Sequence, residues 1–278
     1  MNFVLIKRSI RDSWLLLTSC CALMAGFVCL RIWIASKIEV DALVKVFSGG
    51  LKMFQDLLPV PIEDLASPLG RATFGFEEGP VLLVLGLWAI TRGSECIAGR
   101  VGAGTMEMLL AQPIRRVTAV ASHTWVTLAG LAALTIAGWL GTAAGLEVSA
   151  FKEPLPATVV WPAVVNFLGL GLFLAGLTTF VSAVARTRSQ AVAAVIGFYV
   201  VELALMIVSR ISPGARWLEK LTFLTAYDPT FLTLGLMRKP AETWPLFWEY
   251  NLWLYGLGAA LLAAGTAIFC YRDVPAPL

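Results

Sequence analysis

The residues of this chain that could take part in chemistry are few and scattered. Its single histidine, His123, lies inside a long apolar stretch, so a histidine-based metal site within one chain is nearly excluded. No Gly-x-x-x-x-Gly-Lys run occurs, so the chain lacks the loop that holds nucleotide phosphates. No Gly-x-Ser-x-Gly turn or Cys/His pair predicts a nucleophile. The residues therefore predict a chain that is not an enzyme and holds no metal or cofactor of its own.

One carboxylate does occupy a costly position. Glu202 lies in the segment 199–206 with apolar residues on both sides, so we expect it to be protonated, paired or facing a wet cavity. The simpler interpretation is an outer-leaflet residue that reaches Arg210 or the outer loop. The alternative is a polar point that lines a transport path. For His123 the simpler interpretation is a polar group bonded across helices near the inner surface.

The composition places the chain in a membrane. Of its 278 residues, 58% are hydrophobic and 14% are charged, and the mean hydropathy is +0.79. Soluble proteins carry roughly a quarter charged residues, so this chain is too apolar to present a polar surface all round. The net charge of +3 is small and no basic-aromatic patch occurs, so nucleic acid is not expected as a partner. All five cysteines lie in or beside apolar runs, which argues against a disulfide framework.

Apolar stretches of helical length predict an all-α integral membrane protein with one transmembrane domain over residues 1–278. An amphipathic pattern over residues 1–12 predicts an interfacial helix on membrane lipids. The long connection 37–79 contains an amphipathic helical pattern over residues 40–58 with a bend at Gly49-Gly50, and the connection 210–245 contains short apolar patches. The six predicted spans lie at about 14–35, 80–98, 117–144, 161–185, 189–208 and 247–271.

Basic residues beside the spans predict the orientation. Arg186 and Arg188 mark the tight turn between the fourth and fifth spans, whereas the connection before the fourth span carries only Lys152. Because basic residues concentrate on the cytoplasmic side, both chain termini and residues 99–116 are expected in the cytoplasm. The two long connections then face outward. These features predict a multi-pass protein of the plasma (inner) membrane.

Residues 99–116, which read GRVGAGTMEMLLAQPIRR, organise the rest of the chain. Three glycines oppose helix propagation at the start, after which Thr105 is a good N-cap and Glu107 lies in the first turn of a short helix. Pro113 ends this helix, and Arg115 and Arg116 precede the third span. Its narrow apolar face consists of Met106, Leu109 and Leu110.

A helix this short is not stable by itself in water, so its apolar face must dock against something. One interpretation is an interfacial helix that rests on lipid headgroups. The other is a contact for a soluble partner protein, and the residues alone leave both open.

The run from Gly104 to Arg116 resembles the first cytoplasmic loop of type-2 ATP-binding-cassette (ABC) exporter permeases. It reads GTMEMLLAQPIRR, and the usual pattern of that family is Gly-Thr-Leu-Glu, two or three leucines, a small residue, a polar residue, proline and a basic residue. The six-span layout and the chain length are also similar. The family usually has an acidic-basic run just before the Gly-Thr, where residues 100–103 of this chain read only RVGA.

The resemblance implies a function and its partners. A separate cytosolic ABC ATPase, which binds ATP and Mg²⁺, would dock on the short helix, and a second permease chain, identical or different, would complete the substrate path. An elbow helix would occupy residues 1–12. The ATPase-coupling residues that the resemblance implies are Gly104, Thr105, Met106, Glu107, Leu109, Leu110, Pro113, Arg115 and Arg116.

Two other functions are compatible with the sequence. A membrane-embedded enzyme acting on lipids or peptides would need several carboxylates, serines or histidines at one depth, whereas the spans offer mainly Glu202. A non-transporting assembly subunit would keep the spans but would have little need for a basic loop with a docking helix. The sequence therefore favours the permease subunit of an exporter.

Overall fold

The computed structural model describes residues 3–38, 61–151, 154–220 and 222–272, and within these ranges the chain is helical with no β-strand. Six helices of the described ranges are long and apolar enough to cross a bilayer. They follow one another in the order that the sequence predicts. The fold is therefore that of an all-α multi-pass membrane protein.

The first span is one uninterrupted helix, α1 (Phe3–Lys37). Its 35 residues extend about 50 Å, which exceeds the roughly 30 Å of a bilayer's hydrocarbon core. The separate interfacial helix predicted at residues 1–12 is therefore not a separate element. The reason is local, since α1 contains no proline and Ser13 does not cap a new helix. Its hydroxyl instead donates to the carbonyl of Ser9 one turn back, at 2.8 Å.

The second span follows two short helices, α2 (Ile62–Ala66) and α3 (Pro68–Thr73), and a 3₁₀ turn (Phe74–Glu77). Helix α4 (Gly79–Ser94) has Pro80 in its first turn and continues through a π-helical turn (Glu95–Gly99) to Gly102. The span is thus longer than the predicted 80–98. The amphipathic helix predicted over residues 40–58 and the bend at Gly49-Gly50 lie outside the described residues.

The remaining elements complete the bundle. A short helix connects the second and third spans, and two 3₁₀ turns (Pro213–Lys220 and Phe223–Ala226) follow the fifth span. The last helix begins at Pro240, so the predicted connection 210–245 is too long at its end, because Pro240 starts the helix and Pro245 is accommodated within it. These helices are α5 (Thr105–Leu110), α6 (Arg116–Glu147), α7 (Trp161–Val184), α8 (Arg188–Ile211), α9 (Pro229–Arg238) and α10 (Pro240–Tyr271).

Helix α7 lies at the centre of the bundle, against α10, α4, α6 and α8, and α1 packs along α6. The buried core includes Met24, Trp88, Leu131 and Phe167. Gly141 lies against the backbone of α1. A Cβ at residue 141 would stand 2.6 Å from the carbonyl oxygen of Ala25, so only glycine allows this approach.

Three helices leave most of their apolar surface uncovered within one chain. The most apolar windows of α1, α8 and α10 are largely exposed, whereas that of the α7 span is largely buried. On α8 the exposed apolar residues include Ile196, Val200, Val201 and Val208. These faces are suited to lipid or to a second membrane-spanning chain.

Candidate functional site

The short helix α5 begins at a left-handed residue. Gly104 has φ 67° and is the N-cap, a conformation that favours glycine over residues with a Cβ. Thr105 is therefore the first helical residue and not the N-cap that the sequence predicts. Its hydroxyl donates to the carbonyl of Arg100 at 3.2 Å, which ties the start of α5 to the end of the second span.

The inner face of α5 is seated in the chain's own bundle. Met106 has no exposed surface and lies in a cluster with Cys96, Val120, Ala183 and Phe269. Leu109 and Leu110 are half-buried against the same cluster. The apolar face of α5 therefore packs against neighbouring spans of the same chain. The sequence analysis gave two interpretations of this face, a contact with lipid headgroups and a contact with a soluble partner protein, and neither of them included this packing.

The opposite side of α5 is exposed. We call it the α5 surface, and it consists of Glu107, Met108, Ala111 and Gln112, all of them exposed. Met108 is 67% exposed, a high value for a methionine next to a buried cluster. The sequence prediction included Glu107 and omitted the other three residues. Their spacing could have identified them, since positions 107 and 111, and 108 and 112, are one helical turn apart.

The basic residues after α5 have separate roles. Arg115 is exposed at the N-cap of α6, and Pro113 is also exposed. Arg116 turns back into the bundle, where its guanidinium donates to the carbonyl of Arg272 at 2.5 Å and lies over the ring of Phe269. It therefore fastens the start of α6 to the end of α10.

The end of α10 is fastened in turn to α7. The guanidinium of Arg272 donates to the carbonyls of Ala183 and Val184, at 2.7 and 2.8 Å. Terminal carbonyls of a helix lack partners within the helix, and an arginine at this end satisfies them and suits the helix dipole. The ends of three spans are thus held together beside α5.

A buried polar cluster centres on His123 of α6, which contacts the end of the second span. Its Nε2 lies 2.8 Å from the carbonyl oxygen of Arg92, so Nε2 carries the proton that this bond requires. Its Nδ1 then accepts from the guanidinium of Arg100 at 2.9 Å and from that of Arg92 at 3.3 Å. His123 is therefore a polar group bonded across helices, as the simpler interpretation of the sequence predicted.

Arg92 joins this cluster to α1. It is 1% exposed, donates to the hydroxyl of Ser9 at 2.5 Å, and forms an ion pair with Glu95 at 3.2 Å. The ring of Trp88 covers one face of its guanidinium, with 5.7 Å from Cζ to the ring centroid. The cluster therefore connects α1, the second span and α6, and it includes Arg100 near the end of the second span. In the described ranges no three metal-ligating side chains come together.

Glu202 lies far along the chain from this region. It is buried, and its Oε2 accepts a hydrogen bond from the backbone N–H of Phe223 at 3.2 Å. Phe223 begins the second 3₁₀ turn of the connection after the fifth span. The simpler interpretation of Glu202, a residue that reaches Arg210 or the connection after the fifth span, expects such a contact.

A second acidic residue, Asp228, is half-buried in the same connection. Asp228 caps α9 by accepting from the N–H of Phe231 at 3.0 Å, and its own N–H donates to Asn166 at 3.1 Å. Glu77 accepts from the N–H of Thr230 in the same first turn, at 3.0 Å. Burial, and then the negative charge of Glu77, raise the pKa of the Asp228 carboxyl well above its usual range.

Comparison with known proteins identifies the family of the chain. The model of a family described as ABC-2 family transporter protein matches residues 6–271, which is nearly the whole chain. No curated protein and no solved structure matches the chain.

Proposed function

Since the chain belongs to the ABC-2 transporter family, we propose that it is the membrane-spanning subunit of an ATP-driven exporter on which a separate cytosolic ATPase docks. ATP and Mg²⁺ are bound by that partner, because this chain has no phosphate-binding loop of its own. Export is proposed from the resemblance of residues 104–116 to the first cytoplasmic loop of exporter permeases.

The observation that carries the proposal is the two-sided construction of α5. Its inner face is fixed by Met106 in a cluster formed by the second, third, fourth and sixth spans. Its outer face is an exposed patch with one large apolar residue, Met108, and one charged residue, Glu107. A helix whose inner face is packed against four spans and whose outer face is exposed can bind a partner and transmit the partner's movement to those spans.

The mechanism that follows is mechanical. When two ATPase subunits close around ATP, they displace α5, and the Met106 cluster passes the displacement to four spans. Arg116 and Arg272 link the ends of three of these spans through hydrogen bonds, so the ends move together. The result is a shift in population between two arrangements of rigid helices.

A second permease chain completes the substrate path in this proposal. The uncovered apolar faces of α1, α8 and α10 support such an assembly, because one chain alone leaves all three in contact with lipid. The second chain is either another copy of this one or a related subunit.

The test is retention of the ATPase on the purified permease. The permease is co-expressed with a candidate ABC ATPase subunit from the same genome, and the variant Glu107→Lys/Met108→Ala is compared with the wild type. Loss of a buried methionine contact costs about 1.5–3 kcal/mol, so the double variant should bind the ATPase at least about tenfold more weakly. Leu109 and Leu110 are less suitable positions, because their truncation would loosen the seat of α5 itself.

The chain offers matched controls on its other side. Met237 is 58% exposed on α9, and Glu242 is exposed in the first turn of α10. The variant Glu242→Lys/Met237→Ala makes the same two chemical changes far from α5 and should retain the ATPase fully. Equal retention by both double variants, with each permease intact by size exclusion, would contradict docking on the α5 surface.

A further inference from the structure

A cavity of about 670 Å³ opens between the N-terminal part of α1, the end of the second span, α5 and the start of α8. It lies beside α5 but does not include the α5 surface. Its lining includes three arginines, two carboxylates and two leucines, namely Arg8, Arg100, Arg188, Asp12, Glu95, Leu5 and Leu109.

The arginines of this cavity are only partly neutralised. Arg8 lies 3.8 Å from Asp12, and Glu95 is paired with the buried Arg92 behind the cavity wall. Arg100 and Arg188 have no carboxylate within ion-pair distance among the described residues. Both charges therefore remain available to an anion.

Neutral groups hold these two arginines in place. The guanidinium of Arg100 donates to Nδ1 of His123 at 2.9 Å, and Nε of Arg188 lies 3.4 Å from the hydroxyl of Ser94. A neutral acceptor orients a guanidinium without cancelling its charge. Each arginine keeps further N–H groups for an oxygen ligand, since a guanidinium carries five.

The start of α8 adds a third favourable element. Thr187 caps this 24-residue helix in a capping box with Gln190, and Thr187, Arg188 and Ser189 all line the cavity. The positive end of a helix dipole attracts anions at this position. The N-terminal end of α8, Arg100 and Arg188 all face the same cavity, and together they suit the binding of a compact anion.

The apolar part of the cavity indicates what carries the anion. Leu5 and Leu109 line it, and Phe3 and Ile10 expose their side chains on the same part of α1. This combination suits a group with a charged end and apolar chains. We propose that the cavity binds a phosphate group, presented by an anionic phospholipid of the adjacent leaflet or by a free phosphate, between Arg100 and Arg188.

The experiment measures lipid bound to the full-length purified chain by native mass spectrometry. Phosphatidylglycerol is compared with diacylglycerol, which has the same acyl chains and no phosphate. Phosphatidylglycerol should be retained and diacylglycerol should not. Arg188→Gln should weaken phosphatidylglycerol binding about tenfold, and Arg100→Gln/Arg188→Gln should weaken it further, since each removes a charge-assisted contact. Arg186→Gln, an exposed arginine of the same turn that does not line the cavity, is the matched control and should bind as the wild type does.

A second arm separates the two sources of phosphate. Inorganic phosphate at millimolar concentration is added to the delipidated protein, and the melting temperature is recorded for the wild type, Arg188→Gln and Arg186→Gln. A phosphate-dependent rise that Arg188→Gln loses and Arg186→Gln keeps assigns the site to free phosphate. Phosphatidylglycerol retention that is lost in Arg188→Gln, without such a rise, assigns it to the lipid headgroup. If Arg188→Gln and Arg186→Gln match the wild type with both probes, the proposal is wrong.

Discussion

Gly176 of α7 lies directly against the backbone of Gly258 in α10, and this contact sets the distance between the two most extensively paired helices of the bundle. A Cβ at residue 176 would stand 2.2 Å from the carbonyl oxygen of Gly258. Backbone atoms cannot rotate away as a flexible side chain can, so the helices themselves would have to separate.

Gly176→Ala should therefore destabilise the protein, by about 1–3 kcal/mol if the cost is that of overpacking a core. The matched control is Gly256→Ala on the exposed side of α10, where an added Cβ meets nothing within 4 Å. Alanine favours a helix over glycine, so this control should be neutral or slightly stabilising. The measurement is the temperature at which the detergent-solubilised protein loses its monodisperse peak. A Gly176→Ala protein that melts with the control would contradict the close crossing.

The acid of the α9 cap predicts a dependence of stability on pH. Because burial and Glu77 raise the pKa of Asp228 in the folded protein, the folded state binds more protons than the unfolded state above the ordinary carboxyl range. Stability should thus fall as pH rises above the ordinary pKa range of an aspartate. Asp228→Asn keeps a capping side chain and should reduce this fall. Asp12→Asn, at an exposed position, should keep it; melting curves with equal pH slopes for all three proteins would contradict the assignment.

Glu202 should matter as a hydrogen-bond acceptor and not as a charge. Glu202→Gln keeps an oxygen for the N–H of Phe223 and should retain assembly and basal ATP turnover with the partner. Glu202→Leu leaves that N–H without its acceptor and should cost about 1–3 kcal/mol of stability. Thermal stability and ATP turnover are measured together. Loss of cargo-stimulated turnover in an intact Glu202→Gln complex would instead support the transport-path interpretation.

The orientation predicted from Arg186 and Arg188 is tested by single cysteines in a cysteine-free background. Met108→Cys and Glu242→Cys both replace exposed residues, at opposite ends of the bundle by prediction. In intact cells a membrane-impermeant thiol reagent should label Glu242→Cys only. After permeabilisation it should label both. Labelling of Met108→Cys from outside would reverse the orientation and remove α5 from the cytoplasm.

Much of the fold could be predicted from the sequence because bilayer crossing imposes a length and a composition. The spans and the short helix after Gly104 follow from local patterns. Local patterns did not predict features that depend on tertiary contacts between the spans. The sequence predicts that Gly99, the first of the three glycines in residues 99–116, opposes helix propagation. It nevertheless has a helical φ of −62°, and the second span continues through it as a π-helical turn.

The seat of α5 could not be predicted for a similar reason. Met106, Leu109 and Leu110 require a partner, and the sequence does not show that Ala183 and Phe269, remote along the chain, supply it. The prediction therefore treated these residues as a contact for another protein or for lipid. Once the stripe is seated, the surface available to a partner is the other side of the helix, which the sequence prediction included only at Glu107.

The central claim is that a cytosolic ATPase contacts the α5 surface, and site-specific photo-crosslinking at Met108 tests it most directly. A photoreactive amino acid is placed at Met108, and a second at Leu252, a 74% exposed apolar residue of α10, as the control. The account predicts a covalent adduct between residue 108 and a subunit that mass spectrometry identifies as an ABC ATPase, with none from residue 252. An absence of that adduct at residue 108, with permease and ATPase both present in the same cells, would contradict the account.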